Sequence, residues 1–228
     1  MEKLVYLMTR EVDVPGADLR DALIEKAVPA MRAGGATQIS VNVDDEAVAD
    51  GSGVSIRRSD PPIRAMVSFW VDNADDREPC EAALRAEATS LAGYLVVESR
   101  PLVHQPPVGE RTGGANLVTC IKQKADISYE DFIDRWNNEH KRVALETQST
   151  FAYVRNAVVR RLTADGGDWD GIVEEGFPIE ALTDPLAWYA CDSKEEHKRR
   201  LARMMDSVNA FLDLGVLEST PMSEYFQG

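Results

Sequence analysis

The sequence comprises 228 residues, 44 % of them hydrophobic, with a formal net charge of −14 at pH 7. A chain of this length can bury a sizeable core, either as one large domain or as two domains of about 100 residues each. The acidic balance argues against a nucleic-acid partner, because a phosphate-binding groove needs clustered Lys and Arg side chains. No apolar run approaches a membrane span of roughly 18 residues, and the N-terminus lacks a signal-peptide pattern. We therefore expect a cytoplasmic protein with no membrane partner.

The chemistry-bearing residue types predict no cofactor and no metal. Three cysteines lie far apart in the chain and have no CxxC spacing, which excludes the usual zinc and disulfide patterns: Cys80, Cys120 and Cys191. The three histidines share no i, i+4 spacing, and neither a GxGxxG nor a GxxxxGKS motif occurs. The acids Asp165, Asp168, Asp170, Glu174 and Glu175 could bind a cation, but we interpret them as a solvated turn followed by a sheet face.

Residues 1–105 show alternating strand and helix signals. In chain order we predict a strand at Leu4–Met8, an amphipathic helix from Ala17, strands at Thr37–Val43 and Ile63–Val71, a helix at Asp75–Ser90 and a strand at Tyr94–Val103. Pro29 is expected to kink the first helix or to end its regular part early. The order strand, helix, strand, strand, helix, strand is that of a ferredoxin-like unit. This half is therefore predicted to be one ferredoxin-like domain.

A Pro- and Gly-rich segment, placed at residues 106–115, predicts a linker, and the same order of elements follows it in residues 116–228. The predicted elements are a strand at Leu117–Ile121, a helix from Ser128, strands at Phe151–Leu162 and Gly171–Phe177, a short helical insertion at Pro178–Asp192, a helix at Glu195–Leu212 and a strand at Val216–Tyr225. Ser128 and Asp131 have the spacing of a capping box, which marks the start of the first of these helices.

The predicted fold class is α+β, with two tandem ferredoxin-like (βαββαβ) halves. Each half would carry helices on one face of its sheet and leave the other face uncovered. Packing the two uncovered faces together gives a dimeric-α+β-barrel-type fold within one chain, and a sheet edge left unpaired favours a homodimer.

The most specific segment is Tyr129–His140, YEDFIDRWNNEH. On a helix, Phe132, Trp136 and His140 are successive i, i+4 neighbours and share one face. With Tyr153 on the following strand, this pattern resembles the EthD family, and the resemblance extends through the segment WDGIVE at 169–174 and the segments FLD at 211–213 and EY at 224–225. It covers the chain from about Asn116 onward.

The resemblance implies a small α+β barrel and, where activities are assigned, a cofactor-free cyclase, dehydratase or decarboxylase that acts on aromatic or polyketide-like compounds. It implies that His140 transfers a proton, since an imidazole titrates near neutral pH. Trp136 and Tyr153 would then form pocket walls, and Arg155 or Asn156 on the adjacent strand could polarise a substrate carbonyl. The alternative for His140 is a structural group at a helix end, and for the two aromatic residues it is core packing.

The N-terminal half fits the fold but not the motif, because the place of His140 falls near Glu25 or Lys26 and no tryptophan precedes it. That half is predicted to be a degenerate copy. Three functional hypotheses follow: a lyase- or cyclase-type enzyme acting on a small hydrophobic, oxygenated molecule, a non-catalytic ligand-binding or stress-related protein of the same fold, and a haem-dependent oxidoreductase.

Overall fold

Eight strands and five helices alternate along the computed structural model, which describes all 228 residues. The strands are β1 (Glu2–Thr9), β2 (Thr37–Val43), β3 (Ile63–Val71), β4 (Ser90–Leu102), β5 (Ala115–Ile121), β6 (Ala152–Arg161), β7 (Gly171–Phe177) and β8 (Glu218–Phe226). The helices are α1 (residues 16–33), α2 (Glu78–Arg85), α3 (residues 129–147), α4 (Pro185–Trp188) and α5 (Lys194–Asn209), with 3₁₀ turns at Glu46–Val54, Ala74–Asp76 and Ile179–Leu182.

The strands form one closed antiparallel barrel in the order β1-β3-β2-β8-β5-β7-β6-β4. The first four strands of the chain occupy one continuous arc and the last four the other. In each arc the first strand lies between the third and the fourth. The mixed α+β class is therefore confirmed.

The two arcs meet along two seams, one between β2 and β8 and one between β4 and β6. In the first, Val41 lies opposite Tyr225, and in the second, Val97 lies opposite Ala157. Both edges of each arc are thus paired within the chain. No strand edge is left unpaired within the chain, because the barrel closes on itself, and the homodimer stays a prediction that an unpaired edge does not support.

Most predicted elements lie where the sequence placed them, and the largest displacement is at α2. We predicted this helix at Asp75–Ser90, whereas it occupies only Glu78–Arg85 after a 3₁₀ turn. Strand β4 begins already at Ser90, which pairs with Thr9 of β1, and Leu91 points into the core. The tertiary pairing of β4 overrides the local helical pattern at this end.

Helices α1 and α3 each contain one π turn. In α1 it covers Leu23–Ala27 and ends two residues before Pro29, and in α3 it covers Arg135–His140, where no proline follows. We predicted that Pro29 kinks its helix or ends the regular part early. The regular α-helical turns stop at Ala22, and the π turn carries the helix past a residue that has no N–H to donate. The start of α3 is as predicted, with the Ser128 hydroxyl accepting a hydrogen bond from the Asp131 N–H at 3.0 Å.

Three apolar clusters hold the layers together. One packs α1 and α2 on the N-terminal arc, one lies inside the barrel, and one packs α3 and α5 on the C-terminal arc. The third contains Phe132, Trp136, Tyr153 and Phe211. None of the helices combines the length and the apolar composition needed to cross a bilayer.

Candidate active site

A pocket of about 280 Å³ lies between helices α3 and α5 and the outer face of the C-terminal arc. We call it the helix-side pocket. Its walls are mostly apolar, and they include Trp136, Val173, Met204, Val208, Phe211 and Leu212. Its polar side chains are few: Thr119, His140, Gln148 and Glu175. A concave, largely apolar site with a small number of polar groups is the usual form of a small-molecule site.

His140 is the last residue of the π turn in α3 and lines this pocket. Its Nδ1 lies 3.0 Å from the Ser207 hydroxyl of α5, and its ring packs on Phe211 with the centroids 5.1 Å apart. Burial, together with the positive charge of Arg155, lowers the pKa of His140 to about 4. The imidazole is therefore neutral at pH 7. Because Ser207 occupies Nδ1, Nε2 is the nitrogen left for a ligand.

Trp136 and Tyr153 form one buried unit at the base of the pocket. The Trp136 indole N–H donates a hydrogen bond to the Tyr153 hydroxyl at 3.2 Å, and Trp136 itself lines the pocket. Gly171 lies under the indole, where a Cβ atom would come within 2.5 Å of the Trp136 ring. Tyr153 does not reach the cavity; it holds the indole in place, and burial raises its pKa well above the usual tyrosine range.

Arg155 supports the same unit from the sheet. Its guanidinium donates to the Trp136 carbonyl at 3.2 Å and to the Ser99 hydroxyl at 3.2 Å, and it lies 5.9 Å from the centre of the Trp136 ring. It has no carboxylate partner, and burial lowers its pKa. The structure places Arg155 behind the pocket wall, not in the lining.

Asn156 lies on the opposite face of the sheet. Its side-chain amide donates to the Ile172 carbonyl at 3.1 Å and to Glu174 Oε1 at 2.9 Å, both inside the barrel. Successive side chains of a strand point to opposite faces, so Arg155 and Asn156 cannot both face His140. The expectation that Asn156 helps to polarise a substrate beside His140 is corrected on this ground.

Glu175 is a pocket residue that the sequence did not single out. It lies opposite Tyr153 in the pairing of β6 and β7, and one of its carboxylate oxygens, Oε1, is buried without a hydrogen-bond partner. Burial raises the pKa of Glu175 to about 7. Glu174 and Glu175 lie on a sheet strand as expected; Glu174 is buried inside the barrel, and Glu175 is half-buried under the helices. The available signal was the strand alternation, which must put one of two adjacent acids under the helices.

The N-terminal half has no equivalent polar group. Counted from the helix starts at Gly16 and Tyr129, the α1 positions that correspond to Phe132, Trp136 and His140 are Leu19, Leu23 and Ala27. All three are buried in the apolar cluster beneath α1. The position that corresponds to His140 is therefore Ala27, one or two residues beyond the predicted Glu25 or Lys26, and its side chain is only a methyl group.

Comparison with known proteins supports the resemblance in the second half. Residues 124–215, which include both His140 and Glu175, match the EthD domain model. A search of curated proteins finds no match.

Among solved structures, an anthrone oxidase-like protein superposes with a TM-score of 0.58 at 13 % identity, over 100 % of this chain and 93 % of its own. A proposed monooxygenase from Lactobacillus acidophilus NCFM gives a TM-score of 0.53 at 10 % identity, over 100 % of this chain and 96 % of its own. At such identities the likeness establishes a shared α+β barrel fold.

Proposed function

We propose that this protein, whose C-terminal half carries an EthD domain, is a small-molecule enzyme that moves protons on a hydrophobic, oxygenated substrate held between His140 and Glu175. One observation carries the proposal: a neutral imidazole and a carboxyl group with a pKa of about 7 line the same apolar pocket. Environments that drive the pKa values of two groups apart assign them different roles in acid–base chemistry.

The two pKa values reverse the roles that a histidine and a glutamate usually take. A proton-transferring group works best when its pKa lies near the working pH. Glu175 meets that condition and is the proposed general base and acid. His140, with its pKa near 4, is too weak a base for this role and instead donates a hydrogen bond to a substrate oxygen. If the Ser207 hydroxyl donates to Nδ1, the imidazole proton lies on Nε2, where it can polarise a carbonyl.

The reaction class that fits these roles is loss of water, or ring closure with loss of water, next to a carbonyl group. Glu175 removes a proton from the carbon beside the carbonyl while His140 holds the carbonyl oxygen. The electron pair forms a carbon–carbon double bond, and the hydroxyl group on the next carbon leaves with the proton that Glu175 returns to it. The products are an unsaturated carbonyl compound and water, and Glu175 is again a carboxylate. No cofactor takes part in this sequence.

The volume of the pocket limits the size of the substrate. Small-molecule sites commonly enclose about 300–1,000 Å³, so a pocket of about 280 Å³ suits a molecule of one or two rings. A porphyrin is a rigid plane of four linked pyrrole rings, and it does not fit this space beside the packed rings of His140 and Phe211. The haem-dependent alternative is therefore not favoured, and visible absorbance of the purified protein in the Soret region would revive it.

We also infer that the two halves are copies of one ferredoxin-like unit, at residues 1–105 and 116–228, joined by the linker 106–115. The shared strand order supports this, as does the π turn in each helix, which ends at the corresponding positions Ala27 of α1 and His140 of α3. The N-terminal copy has Leu23 and Ala27 in place of the indole and the imidazole, so it would carry no catalytic pair beneath α1 while its strands complete the barrel.

The decisive experiment compares the turnover of Glu175→Gln, His140→Ala and Glu139→Gln on a panel of one- and two-ring β-hydroxy ketones. Mass spectrometry measures the loss of water from each compound. Glu139 is exposed on the same helix as His140 and serves as the matched control. We expect turnover to fall by 10²–10⁴-fold in Glu175→Gln and by a smaller factor in His140→Ala, with folding retained.

Three outcomes would contradict the proposal. Full turnover in Glu175→Gln would show that Glu175 is not the general base. Tight binding of the panel without turnover by the unaltered protein favours the non-catalytic ligand-binding alternative. Consumption of dissolved oxygen, with a product that gains mass, would point to the oxidative chemistry in the names of the two structural neighbours.

A further inference from the structure

A second cavity, of about 240 Å³, lies inside one end of the barrel. We call it the lumen cavity. Its lining includes Lys3, Ser40, Ser68, Glu98, Glu174 and Glu224, contributed by six different strands. A narrow arm, which shares Glu174 and Glu224 with the main chamber, leads on to Thr112 and Asn116. The lumen cavity is separate from the helix-side pocket, since Glu174 and Glu175 project from opposite faces of β7.

The lining of this cavity is unusual for the inside of a small barrel. Eight-stranded barrels have interiors just wide enough for packed side chains or for one small ligand. The other end of this barrel follows the first pattern, with an apolar cluster that includes Val5, Met66, Ile172 and Met222. Burying charged groups is unfavourable unless each has a partner. Packing therefore does not explain why charged side chains line the end of the barrel that holds the lumen cavity.

The buried charges do not balance. Lys3 Nζ lies 2.6 Å from Glu98 Oε2 and 3.5 Å from Glu174 Oε1, and Arg100 Nε lies 2.6 Å from Glu98 Oε1. Both cations are thus engaged, and Glu224 has no cationic partner. The Ser40 hydroxyl donates to Glu224 Oε1 at 3.4 Å, and the Thr112 hydroxyl lies near the same carboxyl. Burial, and then the charge of Glu174, raise the pKa of Glu224.

A second, independent group points into the same space. Thr112 is only 6 % exposed and lines the arm of the cavity beside Glu174 and Glu224. Its buried hydroxyl is near enough to Glu224 to lower the pKa of that carboxyl, yet it makes no hydrogen bond of normal geometry. An unsatisfied buried hydroxyl costs about 1–3 kcal/mol. A ligand with several donors on one positively charged atom would satisfy Thr112 and Glu224 together.

We propose that the lumen cavity binds a small organic amine, with its ammonium group between Glu224 and Glu174 and its apolar part toward the mouth. A primary ammonium carries three N–H donors on one charged nitrogen, which suits two carboxyl groups and one hydroxyl. The mouth supplies the complementary apolar surface from Trp70, Leu102 and Phe226. A metal ion does not fit the same place, because no three ligating side chains converge there.

The test uses benzylamine as the probe and isothermal titration calorimetry as the measurement. Benzyl alcohol has the same ring without the charge, and ammonium chloride has the charge without the ring. We expect benzylamine to bind the full-length protein, and benzyl alcohol and ammonium chloride to bind at least tenfold more weakly. Failure of benzylamine to bind at millimolar concentration, or equal binding of benzyl alcohol, overturns the proposal.

Two lumen variants and two controls locate the site. Glu224→Gln removes the unpaired carboxylate and is expected to weaken benzylamine binding at least tenfold. Thr112→Val removes the free hydroxyl and is expected to weaken it by a smaller factor, so it provides a test if the first variant does not fold. Glu175→Gln and the exposed Glu139→Gln should leave it unchanged. Loss of benzylamine binding in Glu175→Gln, or unchanged binding in both lumen variants, would show that the amine binds outside the lumen cavity and would refute the assignment.

Discussion

Replacement of Glu175 by glutamine offers a test of the helix-side pocket that needs no substrate. The pKa of this carboxyl is raised from 4.5 to about 7 by burial. Between these two values the unfolded chain has lost the proton and the native protein keeps it. The native state therefore binds more protons, and the free energy of unfolding falls as the pH rises from about 4.5 to about 7.

The magnitude follows from the same shift. Each pKa unit corresponds to about 1.4 kcal/mol, so a shift of about 2.5 units makes the ionised carboxylate cost at most about 3–4 kcal/mol above pH 7. Glutamine keeps the shape and removes the charge. We expect Glu175→Gln to unfold at a higher urea concentration than the unaltered protein at pH 8 and at nearly the same concentration at pH 4.5.

The assay is urea unfolding at pH 4.5, 6 and 8, with Glu139→Gln as the control. Glu139 is exposed, and its replacement should change the midpoint little at any pH. The reasoning is refuted if Glu175→Gln and the unaltered protein differ equally at all three pH values, or if the unaltered protein is the more stable of the two at pH 8. Either result would mean that Glu175 is not held in an environment that opposes its charge.

Three further predictions concern the same region. If Glu175 is the base, the pH profile of kcat/KM should have a limb near pH 7 that disappears in Glu175→Gln, and a limb that persists in the variant assigns the titration to another group. Gly171→Ala should lower the urea midpoint by an amount corresponding to about 1–3 kcal/mol, because its Cβ would lie 2.5 Å from the Trp136 ring; an unchanged midpoint would show that the indole can move. Arg155→Met should raise the pKa of His140 above about 4, measured by NMR titration of its ring protons, because it removes a nearby positive charge; a lower or unchanged pKa would show that burial alone sets the value.

The sequence predicts much of this fold because its information is local and periodic. Ser128 caps α3 as its spacing indicates, and the boundaries of β2, β3 and β7 coincide with the predicted strands. The i, i+4 spacing places Trp136 and His140 on one face of a helix, and both line one pocket. Each of these features depends on residues a few positions apart.

The features that the sequence does not predict depend on distant pairing. The β2–β8 and β4–β6 seams join the two halves, and no periodicity within either half specifies them. Alternation along β6 and β7 separates Arg155 from Asn156 and Glu174 from Glu175, but it does not say which face the helices cover. Which carboxyl shares the pocket with His140 is therefore decided only by tertiary structure.

Closure of the barrel within one chain also changes how the protein can vary. Two identical subunits related by a twofold axis must carry every substitution twice, once on each side. Here a substitution under α3 has no counterpart under α1. The chain can therefore keep a small apolar residue, Ala27, in the packed cluster beneath α1 and an imidazole, His140, at the corresponding position of α3. The N-terminal half can thus keep an apolar cluster beneath α1 while the other half keeps a polar pocket beneath α3, a difference that two identical subunits cannot have.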